Sequence, residues 1–193
     1  MNPLDRTLKL IDQANRADPN QEHTAGQPQP KEWLYGQRMS QMLESFRPDA
    51  SDHLKIAARA QHVERWKSPR TNYPEGRSGY KKWRAELGLF HAQRTGELMR
   101  EAGYPDPDTD RVKYLLQKRS LKTDAESQCL EDVVCLVFLQ FYFDAFAAKH
   151  TENKLLEIIQ KTWKKMSSQG QTAALQLPLS ANATVLVKKA LAD

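Results

Sequence analysis

Apolar residues recur three and four apart along almost the whole chain, and that spacing predicts helices. Leu4, Leu8 and Ile11 mark an N-terminal helix that stops near Asp18-Pro19-Asn20. Residues 19–30, "PNQEHTAGQPQP", are polar and punctuated by proline and glycine, and predict a loop. Trp33, Met42, Leu43 and Phe46 outline a second helix closed by Pro48. Ser51 then offers an N-cap for a third, with Leu54, Ile56, Ala60 and Val63 facing inward and His62 in its last turns. An arginine-rich loop at 67–80 leads to a helix from about Tyr80 to Ala102, which stops at Gly103. "DTDRVKYLLQKRS" predicts a short helix, and 125–148 a long apolar one. Thr151 caps "ENKLLEIIQKTWKKMSSQG", read as a helix with a basic last turn and a stop at Gly170. "SANATVLVKKALA" closes the chain inside a C-terminal helical appendage, 171–193. No stretch alternates convincingly with period two. The expected fold is all-α, a single compact domain of about seven to eight helices over 1–193.

Length and composition agree with one soluble domain: 193 residues, 39% hydrophobic and 27% charged. "MNPLDRTLKL" has no basic segment followed by an apolar run, so no targeting signal is expected. The apolar block 133–148 carries Gln140 and Asp144 and is too short to span a bilayer, so no membrane partner is expected. Cys129 and Cys135, six apart on one helix, point in different directions and cannot bridge each other. Two buried thiols fit a reduced, cytoplasmic protein.

Charge changes the picture through its distribution. The net charge is +5, but Arg59–Arg84 holds Arg59, Arg65, Lys67, Arg70, Arg77, Lys81, Lys82 and Arg84 against Glu64 and Glu75 alone. Arg111, Lys113, Lys118, Arg119 and Lys122 form a second cluster. Most charge runs are solvated faces. Trp66, Tyr73, Tyr80 and Trp83 interleave with the first cluster, however, and that mixture suits a phosphate or nucleotide ligand.

Two further features carry chemistry. Glu131 and Asp132 sit where Leu130, Val133 and Val134 demand burial, and buried carboxylates need partners, hydrogen bonds or a metal. His91 follows Leu89 and Phe90 on a helix surface expected to face the core, and His62 ends a small-residue helix. Either histidine alone is more often structural than functional. Together with Glu131 and Asp132 they suit a divalent metal held by nitrogen and oxygen, or an acid–base site. His53 and His150 look like capping groups, and His23 lies in the polar loop.

The order "YGQRM", "AARAQHVERW", "FHAQRTGELMREAGYP", "LLQKRS" and "LEDVVCLVFL" resembles the helical core of HD-domain phosphohydrolases. More closely, residues 3–180 resemble a bacterial and fungal family known as domain of unknown function 4202. The HD resemblance implies a divalent metal (Mn, Mg, Fe or Zn). It gives His62 the histidine of the His-Asp pair, His91 a second-metal or substrate-facing role, and Asp132 the final aspartate. Tyr35 stands where the first histidine is expected, Val63 replaces the aspartate of the pair, and a later histidine is replaced near Lys118 or Arg119. Glu64 cannot substitute for Val63, because one residue turns a side chain by about 100° on a helix.

Either a metal site is rebuilt from His62, His91 and Asp132, with Glu131 contributing, or the metal is lost and cations take over as the electrophilic clamp. The first expectation is a phosphohydrolase acting on a phosphorylated, nucleotide-like small molecule. His62, His91, Glu131 and Asp132 would be its catalytic residues. Arg38, Arg59, Arg65, Arg70, Arg77, Lys118 and Lys122 would hold phosphate, and Trp66, Tyr73 or Tyr80 would stack on a base. A catalytically degenerate phospho-ligand sensor is the alternative. Non-specific nucleic-acid binding through 59–84 ranks behind both.

Overall fold

The computed structural model describes residues 1–24, 26–118 and 120–192. Arg119, one of the cationic candidates, lies outside the described residues. The chain divides into two compact units, Met1–Arg119 and Ser120–Asp193. Ten α-helices form among the described residues, more than the seven or eight expected, together with one small antiparallel hairpin.

The first unit begins with α1 (Pro3–Arg16), capped by Asn2 and buried through Thr7, Ile11 and Asn15. The hairpin β1 (Gln21–Thr24) and β2 (Gln27–Pro30) occupies the segment expected to be a loop, with Gln21 opposite Pro30 and Thr24 opposite Gln27. Its composition hid it. Polar strands with proline show no apolar alternation, and such strands survive only where an edge is left unpaired. Helix α2 (Lys31–Phe46) follows at once and buries Leu34, Tyr35, Met39 and Leu43. Its N-cap, Pro30, has no side chain to offer; Asp18 caps from a distance, its Oδ2 accepting from the Glu32 amide at 3.0 Å.

Ser51 caps α3 (Asp52–Arg59) as expected, accepting from the Leu54 amide. Ala57, Ala58 and Ala60 are fully buried, and a methyl group on Gly36 would stand 3.0 Å from the Arg59 carbonyl oxygen. Small residues therefore set the close approach of α2 and α3. Helix α3 ends at Arg59, so His62 lies in the following turn and not on the helix itself, a correction to the expectation. That turn closes with Glu64 in the left-handed region, φ 50°. Short 3₁₀ turns at Arg65–Lys67 and Arg70–Asn72 fill the expected loop, and α4 starts earlier than expected, running Gly76–Glu101. Helix α5 (Asp106–Leu116) packs against α4 and α3.

The second unit is built on α6 (Ala125–Val137), capped by Asp124. The apolar run then passes through a π-helical segment, Phe138–Tyr142, into α7 (Phe143–Ala147), where one uniform helix was expected. Helix α8 (Glu152–Lys165) ends in the basic turn Lys164-Lys165. Gly170 is not its stop. Ser167 starts a new helix, α9 (Ser168–Leu175), by accepting from the Gly170 amide, and Gly170 is buried within it. Helix α10 (Ala181–Leu191), capped by Ser180, buries Ala183, Leu186, Val187 and Ala190 and packs on α8 and α7. Cys129 and Cys135 are both buried. Among the described residues no helix is long and apolar enough to cross a membrane.

Candidate functional site

His62 is held from both sides. Its Nδ1 lies 2.9 Å from Glu32 Oε2, and its Nε2 lies 2.9 Å from Arg65 Nη1. A guanidinium can only donate, so Nε2 accepts, the ring proton sits on Nδ1, and Nδ1–H donates to Glu32. Tyr35, one turn along α2 from Glu32, stacks on the imidazole at 3.8 Å with the rings 11° from parallel. Helix α2 therefore supplies a carboxylate to one edge of His62 and an aromatic ring to its face.

The turn that carries His62 is fixed by buried polar groups. Asn15, 1% exposed, accepts from the Glu64 amide at 2.8 Å and donates to the Glu32 carbonyl at 3.4 Å. It thus ties the end of α1 to the start of α2 and to the turn. The Glu64 carboxylate takes Lys67 Nζ and Arg94 Nε, each at 2.8 Å, and secures the turn to α4. Arg65 lies over the Trp83 ring, 4.9 Å from its centre, and Trp83 donates from Nε1 to the Ser68 carbonyl.

His91, on α4, is 5% exposed, with its ring centre 6.1 Å from that of His62. Its Nε2 is buried and has no hydrogen-bond partner among the described residues. A buried polar atom left so costs about 1–3 kcal/mol.

Burial holds both imidazoles well below their ordinary range. For His62 the cations Arg65, Arg84, Lys118 and Lys31 add to that effect, and for His91 His62, Arg65 and Arg84 do. Both are neutral at pH 7. Burial raises the Glu32 carboxyl, against the pull of Arg65 and Lys31, and lowers Arg65, against the pull of Glu32. Two neutral imidazoles thus stand among four cations with Glu32 as the carboxylate in direct contact. Such a locus attracts anions.

Several of the other candidates are engaged in contacts of their own. Arg38 pairs with Glu22 of the hairpin. Arg59 is committed to Asp12 at 2.8 Å and Ser40 at 2.7 Å. Arg70 staples its own loop through the Tyr73 and Gly76 carbonyls, Tyr73 donates to Glu86, and Arg77 is exposed. Tyr80, 50% exposed, meets Trp83, while Trp66 is half-buried in its 3₁₀ turn. Lys118 has a left-handed backbone, as does the exposed Lys122 of the second unit.

Within that second unit the Asp132 carboxylate is surrounded by donors. Oδ1 accepts from the Ser167 amide at 2.8 Å and Gln128 Nε2 at 3.0 Å, and Oδ2 from Ser167 Oγ at 2.5 Å. Glu131, 4% exposed, has Lys165 Nζ at 3.5 Å.

The residues present do not fit the metal that the HD resemblance implies. A metal at His62 would have to displace Arg65 or Glu32, and among the described residues no group of three or more His, Cys, Asp or Glu side chains could hold an ion. Glu32, Lys31 and Arg84 were missed as site residues. An acid in the first turn of a helix is ordinary, and nothing local marks Glu32 as buried.

No curated protein and no solved structure matches the chain. The family model described as domain of unknown function (DUF4202) matches residues 5–187, nearly the whole length, and the chain belongs to that family.

Proposed function

We propose that this protein binds a phosphorylated, nucleotide-like small molecule at the Tyr35–His62–Arg65 locus, without a metal. One observation carries the reading: His62 spends one nitrogen on Glu32 and the other on Arg65. A guanidinium sits at the imidazole nitrogen that a metal would need. Its forked geometry suits phosphate oxygens, and Arg84, Lys118 and Lys31 add positive charge around it. Tyr80, half-exposed beside Trp83, offers a face for a base. In this reading the chain descends from an HD-like enzyme whose metal clamp has been replaced by cations, and the protein works in the cytoplasm.

Calorimetric titration of the full chain with nucleoside monophosphates and diphosphates, with and without a chelator, tests it. Binding should be unchanged by the chelator and weakened at least tenfold by Arg65→Ala. Binding that requires added metal, or none across the panel, would remove the proposal. A polynucleotide titration separates nucleic-acid binding, which would show a steep loss of affinity with salt.

A second reading, hydrolysis of the bound phosphoester, is favoured by His91. A buried, neutral imidazole whose Nε2 has no partner among the described residues is in the state a general base requires. Phosphate release under single-turnover conditions, abolished by His91→Gln with ligand affinity retained, would establish it. Wild-type binding without phosphate release leaves the sensor role.

A further inference from the structure

A cavity of about 290 Å³ opens in the first unit between α1, α2, the turn at 47–50 and α3. This is near the lower end of the range for small-molecule sites, about 300–1,000 Å³. Leu8, Leu43, Pro48 and Ala50 supply its apolar lining, and Leu43 and Ala50 are buried at 2% and 7% exposure. Arg59 also lines it, but Asp12 already neutralises that guanidinium at 2.8 Å.

The uncompensated charge comes from the remaining lining residues. Lys55 is half-buried and has no ion-pair partner among the described residues. Arg47 is exposed at the rim, held only loosely by Asp49 at 4.0 Å, and Glu44 stands at the rim as the opposing carboxylate. Asp49 offsets Arg47 and Asp12 offsets Arg59, so Lys55 is the lining cation left without an acid partner among the described residues, over an apolar floor. One unpaired ammonium matches the single charge of a monoanion, and Glu44 would repel the second charge of a dianion. Burying a short hydrocarbon body against Leu43 and Ala50 adds about 25 cal/mol per Å² of apolar surface removed from water.

We infer that this cavity is a second ligand site, specific for a small monocarboxylate with a compact apolar body, held by Lys55 at its head and the Leu43–Ala50 floor along its length. The site is independent of the phosphate-binding reading.

The experiment titrates the full chain with hexanoate, hexan-1-ol, acetate and hexyl phosphate, observed by calorimetry or by NMR of the Leu8 and Leu43 methyl groups. Hexanoate should saturate at least tenfold more tightly than the other three. Lys55→Gln should weaken it about tenfold while leaving the melting temperature unchanged, and Ala50→Leu should abolish it by filling the cavity. Arg65→Ala should leave hexanoate binding intact, which separates failure here from failure of the phosphate site. Equal affinity for hexanoate and hexan-1-ol, no saturable binding of hexanoate, or insensitivity to Lys55→Gln would each overturn the inference.

Discussion

Asp132 in the second unit and His91 in the first are nearly equally buried, at 2% and 5% exposure, yet their surroundings are opposite. Asp132 has a donor at each oxygen, and Ser167, which supplies two of the three, also starts α9 by accepting from Gly170. Its hydrogen bonds join α6 to the start of α9, which is what a structural carboxylate does. His91 has a buried nitrogen with no partner among the described residues, beside a histidine whose nitrogens are both engaged. The contrast teaches where to look: burial of an ionisable group says little, and what separates a support from a site is whether the protein satisfies it. Strain of the second kind persists at functional sites and is stabilised elsewhere.

Substitutions at and around these two residues should have opposite effects. The largest effect is expected from Asp132→Ala, which strands the Ser167 amide and Gln128 and removes charge-assisted hydrogen bonds. A loss of about 3–4 kcal/mol in urea unfolding is expected. Gly170→Ala should cost about 2 kcal/mol, because the added methyl would stand 2.6 Å from Asp132 Oδ1 in a packed contact. His91→Phe should do the reverse and stabilise by about 1 kcal/mol, since an apolar ring of similar shape removes an unsatisfied atom. A stabilised protein that no longer acts on its ligand would mark His91 as functional; a destabilised one would place it with Asp132.

The smallest effect is in pH. The folded protein holds His62 and His91 below the value of about 6.5 found in an unfolded chain. As pH falls through that value the unfolded state takes up protons that the folded state refuses. The stability associated with neutral imidazoles is therefore complete above about pH 6.5 and lost below it. Glu32, raised by burial, has the opposite sign: its contribution is present below the ordinary carboxylate value and fades as pH rises through its folded value. Melting temperatures of wild type and His91→Phe measured from pH 7.5 to 5 isolate the histidine part. The variant should show the shallower decline, and parallel curves would contradict the assignment.

Helical periodicity was legible because it is local: α1, α2 and α3, with the Ser51 cap, follow from the spacing of Leu4, Leu8, Ile11, Leu43 and Leu54. The polar hairpin was not, because its strands bury little and are built of polar residues and proline. Ser167 and Gly170 misled for a related reason. A serine–glycine pair after a basic turn reads as a helix end, and only the buried Asp132 beneath it makes it a beginning. His62, His91 and Arg65 were legible as candidates from residue type and neighbourhood. Their partner Glu32 was not, since thirty residues separate it from His62 in the chain.

The order of residues alone is enough for an α-helical protein with a cation-rich middle segment, because helix formation and charge density depend on near neighbours. Tertiary structure alone decided which buried groups are satisfied. Only the packing of α1, α2, α4 and the 60–64 turn puts Asn15, Glu32 and Arg94 against the segment that carries His62, and that packing fixes its tautomer and leaves His91 Nε2 without a partner among the described residues. Hydrogen-bond satisfaction is a property of groups distant in the chain and adjacent in space, so no window of sequence contains it.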